Sequence, residues 1–171
     1  FPEGYFSDVH IVVTVLSYDG VNPTDTLSIT AASAALSISP VPFSGPVGSV
    51  VVGLIDDQFV INPSKADQEK SELHLTLAGT KEAIMMVEAG ANFISEDKML
   101  EALEYGHEEL KKLIVLQEDL VKVAGQEKWD VDLDLVPEAF QKQVNDLVEE
   151  QFKTAIRTSG KLEKYAAMDK V

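Results

Sequence analysis

The sequence predicts an α+β fold: strands and helices layered together to about residue 125, then an all-α segment. Three observations predict it. β-Branched or apolar runs at 8–16, 47–55 and 83–87 are bounded by turn-forming residues. Between the first two lies a stretch, Asn22–Gly53, that reads as a helix of very small residues, a stiff Pro/Gly loop and a buried strand in succession. From Ser95 onward the apolar residues take up helical spacing and keep it.

Composition bounds the possibilities. The chain has 171 residues, enough for one domain of ordinary size or one domain with a small appendage, and its apolar fraction of 45% suits a globular core. It has no cysteine, which excludes disulfides and thiolate chemistry. No apolar run reaches the length of a membrane span. The 29 acidic residues outnumber the 14 basic ones, for a net charge of −15. Such a surface repels phosphate backbones and argues against strong nucleic-acid binding by this segment alone. The chain starts FPEG and stops at Met168–Val171 within helical periodicity, so it reads as a piece of a longer polypeptide.

Each element has a local reason. Asp8–Leu16, DVHIVVTVL, is hydrophobic on both faces and predicts a central strand. Tyr18-Asp19-Gly20 turns the chain. In the small-residue helix, Leu27, Ala31, Ala34 and Ile38 recur on one side, predicted to face inward. Thr24 or Asn22 can cap its start, and Pro40 ends it. Val47–Ile55 is a strand, Asp56-Asp57 a tight turn, and Gln58–Ile61 the hairpin partner. After a polar excursion, Leu73–Leu77 alternates with His74 and Thr76 as a half-buried strand, and Ala83–Val87 is predicted to be a buried one.

Ser95 can cap a long helix to Ala124, with Glu96 and Asp97 in the first turn where the dipole favours acids. Its inward stripe is Met99, Leu103, Leu110, Leu113, Ile114, Leu116, Leu120 and Val121, with a bend expected at Gly106 and a stop at Gly125. Gln126–Pro137 reads as a linker. Helix resumes at Glu138, with Phe140, Val144, Leu147, Val148 and Phe152 inward, breaks at Thr158–Gly160 and closes around Leu162, Tyr165 and Ala166. The expected domains are therefore 1–125, a linker 126–137, and the start of a helical domain, 138–171.

Candidate chemistry is sparse. His107-Glu108-Glu109 resembles the start of HExxH, but Lys111 stands where the second histidine is needed. Asp130, Asp132 and Asp134 imitate half of a calcium loop, yet the following Gly and the distal Glu are absent; an extended segment with its acids in water is the better reading. Asp67, Glu69 and Glu72 could hold a divalent ion, although Lys65 and Lys70 interleave them. No glycine-rich phosphate loop is present, and Ser28, Ser33 and Ser37 lack a recognisable base.

Over its whole length the chain resembles an internal segment of the polynucleotide phosphorylase family. FPEGYFSDVHIVVTVLSYD and NPTDTLSITAASAALSISPVPFSGPVGSVVVG carry the likeness, followed in order by NPS, ELHLTLAGT, MMVEAGA, MLEALEYGHEE and AGQEKW. The resemblance implies the latter part of the first of two ribonuclease PH-type cores, a mixed sheet packed with helices, and then the start of the helical domain. It implies an enzyme that degrades RNA from the 3′ end with inorganic phosphate, releasing nucleoside diphosphates with Mg²⁺ assisting, in the cytoplasm and as a homotrimer.

Against the active core of that family this segment departs at two places. Its register puts Asn22, Pro23, Thr24 and Asp25 where the active core has phosphate-binding serines, and Asp25 brings negative charge to that spot. Ala66 and Glu72 stand where the active core has metal-holding aspartates, so one carboxylate is lost. The resemblance thus implies a non-catalytic core with no catalytic or metal-binding residue of its own, packed against the second core of the same protein. The competing reading is an autonomous acidic α/β module that binds a protein partner. A core made to be covered exposes strand edges and a large apolar surface; an autonomous module is closed.

Overall fold

The computed structural model describes residues 1–171. They form two compact units, one of residues 1–2 and 7–132, the other of residues 3–6 and 133–171. The first unit holds α1 (Asp25–Ile38), β1 (Gly48–Ile55), β2 (Gln58–Ile61), α2 (Lys65–Gln68), β3 (Leu73–Gly79), β4 (Ile84–Ala91) and α3 (Glu96–Ala124). The second holds α4 (Glu138–Ala155) and α5 (Lys161–Met168). The α+β class is as predicted. No helix is long and apolar enough to cross a membrane.

The four strands form one sheet in the order β2-β1-β3-β4. All three ladders are antiparallel, where a mixed sheet was expected. Short turns dictate this. β1 and β2 are joined by Asp56 and Asp57, both in the left-handed region at φ 48° and 61°, the geometry of a two-residue hairpin turn. Lys98 at the start of α3 reaches that turn, its Nζ 2.9 Å from Asp57 Oδ1.

Alternation along the strands builds the core. Val50, Val52 and Leu54 of β1 and Leu73, Leu75 and Leu77 of β3 cluster with Ala102, Leu110 and Ile114 of α3. The register pairs Val50 with Leu77 and Val52 with Leu75, stacking the largest side chains on one face. Burying each Val or Leu stabilises by roughly 1.5–3 kcal/mol. Two buried polar side chains bond across the core: Ser49 Oγ donates to Leu77 O at 2.8 Å, and Gln117 Nε2 donates to Val47 O at 3.0 Å, while Gln117 Oε1 and the Thr30 and Ser37 hydroxyls are buried without a partner.

α3 runs unbroken for 29 residues, so Gly106 does not divide it into two pieces. Gly106 is there for closeness. A Cβ at this position would lie 2.7 Å from Val52 Cγ2 and closer still to Leu77 Cδ1. Gly48 serves the same contact from the sheet, since a Cβ there would meet Leu110 O at 2.8 Å. The buried line is Ala102, Gly106, Leu110, Ile114 and Gln117, and Leu116 and Leu120 of the expected stripe face outward.

Three further expectations are corrected. Residues 8–16 form no strand and are exposed along almost their whole length, because no strand of this chain offers them a ladder. β4 is an exposed edge rather than a buried strand: it pairs only with β3, and of its residues only Ile84 packs against the core. The face that α1 buries is Thr26, Ser33 and Ser37, whereas Leu27 is 64% exposed and Ala31 is also outside. Ser33 Oγ accepts the Val47 amide at 2.7 Å, so a hydrogen bond to the start of β1 helps to orient this helix.

In the second unit, α4 and α5 pack against each other. Gly160, in the left-handed region at φ 87°, makes the break between them. Ala155 is buried, but Phe140, Val144, Leu147 and Phe152 of the expected inward stripe are exposed. Asp134 N donates to Gly4 O at 3.0 Å, bringing residues 3–6 into this unit.

Gly106→Ala tests the close seat of α3. Overpacking costs roughly 1–3 kcal/mol, against a helix-propensity gain of about 0.5–1 kcal/mol. The urea midpoint of unfolding is expected to fall, and an unchanged or higher midpoint would show that Val52 and Leu77 yield freely.

Candidate functional site

Of the positions singled out by the resemblance, Asn22–Asp25 lead into the start of α1, Ala66 lies on the neighbouring α2, and Glu72 precedes β3. Asp19 organises the approach. Its Oδ1 accepts the amides of Val21 and Asn22, both at 2.8 Å, and its Oδ2 accepts Asn22 Nδ2 at 2.5 Å. Those bonds, led by the backbone amide of Asn22, hold the exposed Asp19 carboxyl below the ordinary carboxylate value of 3.8. The Asp19-Gly20 pair is the sequence signal for this turn: a short carboxylate before glycine that bonds the backbone two and three residues on.

Val21 O then accepts the Lys65 amide at 2.9 Å, which places the approach to α1 beside the start of α2. Ser64 caps α2, accepting the Asp67 amide at 3.2 Å and donating to Asp67 Oδ2 at 2.7 Å. Neither Asn22 nor Thr24 caps α1 through its side chain. Asn22 is held by Asp19 instead.

Asp25 is the first residue of α1 and is exposed. Its Oδ1 accepts the Thr26 amide at 3.0 Å. A helix start offers free N–H groups and a positive dipole end to an anion. Here the chain's own carboxylate takes one of those amides and brings negative charge to the same place. Ala66 lies exposed on α2, without a ligating atom in its side chain. Glu72 is exposed just before β3, its backbone paired on both sides: its N–H donates to Leu54 O and its carbonyl accepts Asn92 N, each at 2.9 Å. No group of three or more His, Asp or Glu side chains is placed to hold a metal ion.

The surface beside the start of α1 is apolar. A cleft of about 280 Å³ is lined by Val13, Val15, Leu16, Thr24, Leu27 and Ala31. The other histidine and aspartate candidates also have ordinary surroundings. His107 Nε2 lies 3.0 Å from Thr80 O, tying α3 to the β3–β4 turn. Asp130, Asp132 and Asp134 are exposed in a segment without regular structure.

The 3′ exoribonuclease family, domain 2, matches residues 45–109. The polyribonucleotide nucleotidyltransferase of Halothermothrix orenii is 44% identical over all 171 residues, and that of Natranaerobius thermophilus is 49% identical over 169, or 99% of the chain. The chain is homologous, over its whole length, to a segment of the polyribonucleotide nucleotidyltransferases. It spans about a quarter of the length of these relatives, 24% in each case. The equivalent protein of Clostridioides difficile is 44% identical over the same 171 residues. Among solved structures, rice (Oryza sativa) Rrp46 superposes with a TM-score of 0.54 at 15% identity, covering 60% of this chain and 50% of the rice chain, a likeness of fold alone. The match to the 3′ exoribonuclease family, domain 2, takes in β1 to the middle of α3, the part of the first unit whose core is described above.

Titration of Asp19 tests the local geometry. Its folded pKa is depressed, so the stabilisation is present above the ordinary value of 3.8 and is lost as pH falls through the lowered value. The Asp19 carboxyl resonance is expected to titrate below 3.8, and Asp19→Asn to abolish this acid-limb contribution to stability; a midpoint at or above the ordinary value would contradict the hydrogen-bonded turn.

Proposed function

We propose that this chain is a structural part of a phosphate-dependent 3′-to-5′ exoribonuclease, a polyribonucleotide nucleotidyltransferase, and is not itself catalytic. The observation that carries the reading is the homology over the entire chain to enzymes of that name. Residues 1–125 are the latter part of its first, non-catalytic ribonuclease PH-type core, 126–137 the linker, and 138–171 the start of its helical domain. The full protein acts on RNA with inorganic phosphate and Mg²⁺, in the cytoplasm and as a homotrimer. In it, this segment packs on the second core.

Asp25, Ala66 and Glu72 support the non-catalytic role. Phosphorolysis draws on preorganised positive charge and metal around the transferring phosphate. At Asp25 there is a carboxylate already bonded to the helix amide, and at Ala66 there is no ligand at all. The surface favours a segment of a larger body over an autonomous module. Val12, Val13, Val15 and Leu16 are exposed beside Leu27, and Met85, Val87 and the rest of β4 form an unpaired edge. A closed module would cover such a surface.

The test is phosphorolysis of poly(A), read as release of nucleoside diphosphates. The chain alone is expected to release none with phosphate and Mg²⁺ present. In the full-length enzyme, Asp25→Ala and Glu72→Ala are expected to keep kcat/KM within about threefold of the parent. A loss of about a hundredfold or more in a folded variant, the size seen when one transition-state contact is removed, would overturn the non-catalytic assignment.

A further inference from the structure

α1 ends at Ser39 and Pro40 with neither a glycine nor a basic residue to cap it. Its last turn carries no basic residue, and no left-handed glycine follows it. The last carbonyls of such a helix need donors from elsewhere. Ser39 supplies two, its N–H to Ala35 O at 3.1 Å and its hydroxyl to Leu36 O at 2.9 Å. The remaining donors come from residues 126–129, some ninety positions later. Gln126 N donates to Ile38 O at 2.9 Å, and Trp129 N donates to Pro40 O at 2.8 Å. Between them, Lys128 Nζ donates to Leu36 O at 2.9 Å, Ser37 O at 3.0 Å and Ser39 O at 2.6 Å.

We infer that residues 126–129 are a strap that completes the cap of α1 begun by Ser39, and that Lys128 is the positioning residue that holds the strap down. Three bonds from one ammonium use all of its donors. They also place a full positive charge at the negative end of the helix dipole. The same ammonium thus ties the exit of α3 to the end of α1, and the Trp129 amide ties it to Pro40, where the following loop begins.

Apolar packing does not do this instead. Gln126, Glu127, Lys128 and Trp129 are all exposed, Trp129 to 56%. Beside Lys128 lies an open cavity of about 330 Å³ lined by Ser37, Phe43, Pro46, Glu118 and Val121. Of the strap residues only Lys128 lines that cavity, so apolar seating there does not hold the strap. Its hold is polar, and hydrogen bonds to a charged group are stronger than neutral ones. Partial desolvation of Lys128, which lowers its pKa, fits an ammonium drawn against backbone carbonyls.

The experiment compares Lys128→Met, which keeps the stem and removes the charge, with Lys128→Arg, which keeps donors and charge. Amide hydrogen exchange at Gln126 and Trp129 reads the strap, and exchange at Val52 and Leu75 reads the core. Trp129, the one tryptophan of the chain, adds a fluorescence anisotropy signal. In Lys128→Met the strap amides are expected to lose about tenfold or more in protection, Trp129 anisotropy to fall, and the core amides to stay as they are. Lys128→Arg is expected to restore part of the strap protection. Unchanged strap amides in Lys128→Met would overturn the inference. So would equal loosening of strap and core, since that would make Lys128 a support of the whole unit, and so would the absence of any recovery with arginine.

Discussion

The first unit depends on how closely α3 lies on the sheet. Two missing side chains permit the approach, Gly106 on the helix and Gly48 on β1. Glycine inside a helix costs about 0.5–1 kcal/mol relative to alanine. That cost is offset here because the helix can press Ala102, Leu110 and Ile114 against Val50, Val52, Leu75 and Leu77 at van der Waals distance. Interiors are packed as densely as organic crystals, so a contact of this kind admits no spare methyl group. The bond from Gln117 to Val47 O extends the same contact to the start of β1.

That one contact also explains what is left uncovered. α3 lies over β1 and β3 and touches β2, and of β4 only Ile84 packs against that core. β4 hangs from β3 by its ladder and shows most of both its faces to solvent. The apolar segment 8–16 has no ladder at all, although its composition suits a covered strand; Leu16 is 92% exposed. An uncovered β edge and an uncovered β-branched run invite pairing. Both make sense in a body larger than this chain, which matches relatives about four times its length.

The site region follows a different logic, that of charge. The start of α1 is where a helix ordinarily welcomes an anion, and the chain fills it with Asp25. Asp19 holds the turn before it, and the Val21–Lys65 bond brings α2 alongside with the inert Ala66 on it. The local geometry is well ordered, and it presents carboxylates and apolar side chains to solvent.

Much of the architecture was legible in the residues themselves. The β1–β2 hairpin, the alternating β3, the long α3 and the break at Gly160 follow from turn chemistry and from periods of two and 3.6, which are local properties. The family likeness was legible as well, because its words run in order along the chain. What the residues could not show is which face of an element finds a partner. α1 has an apolar side and a hydroxyl side, and the tertiary structure buried the hydroxyls because Ser33 meets the Val47 amide. Gly106 reads as a breaker in isolation and proves to be a contact point only when Leu77 and Val52 stand opposite it. Residues 8–16 have the composition of a strand, but a strand exists only where a second backbone supplies its hydrogen bonds. Sequence by itself determined the local conformations and the lineage; pairing, burial and the cap that Lys128 brings to α1 belong to tertiary structure, because each needs groups far apart in the chain to meet in space.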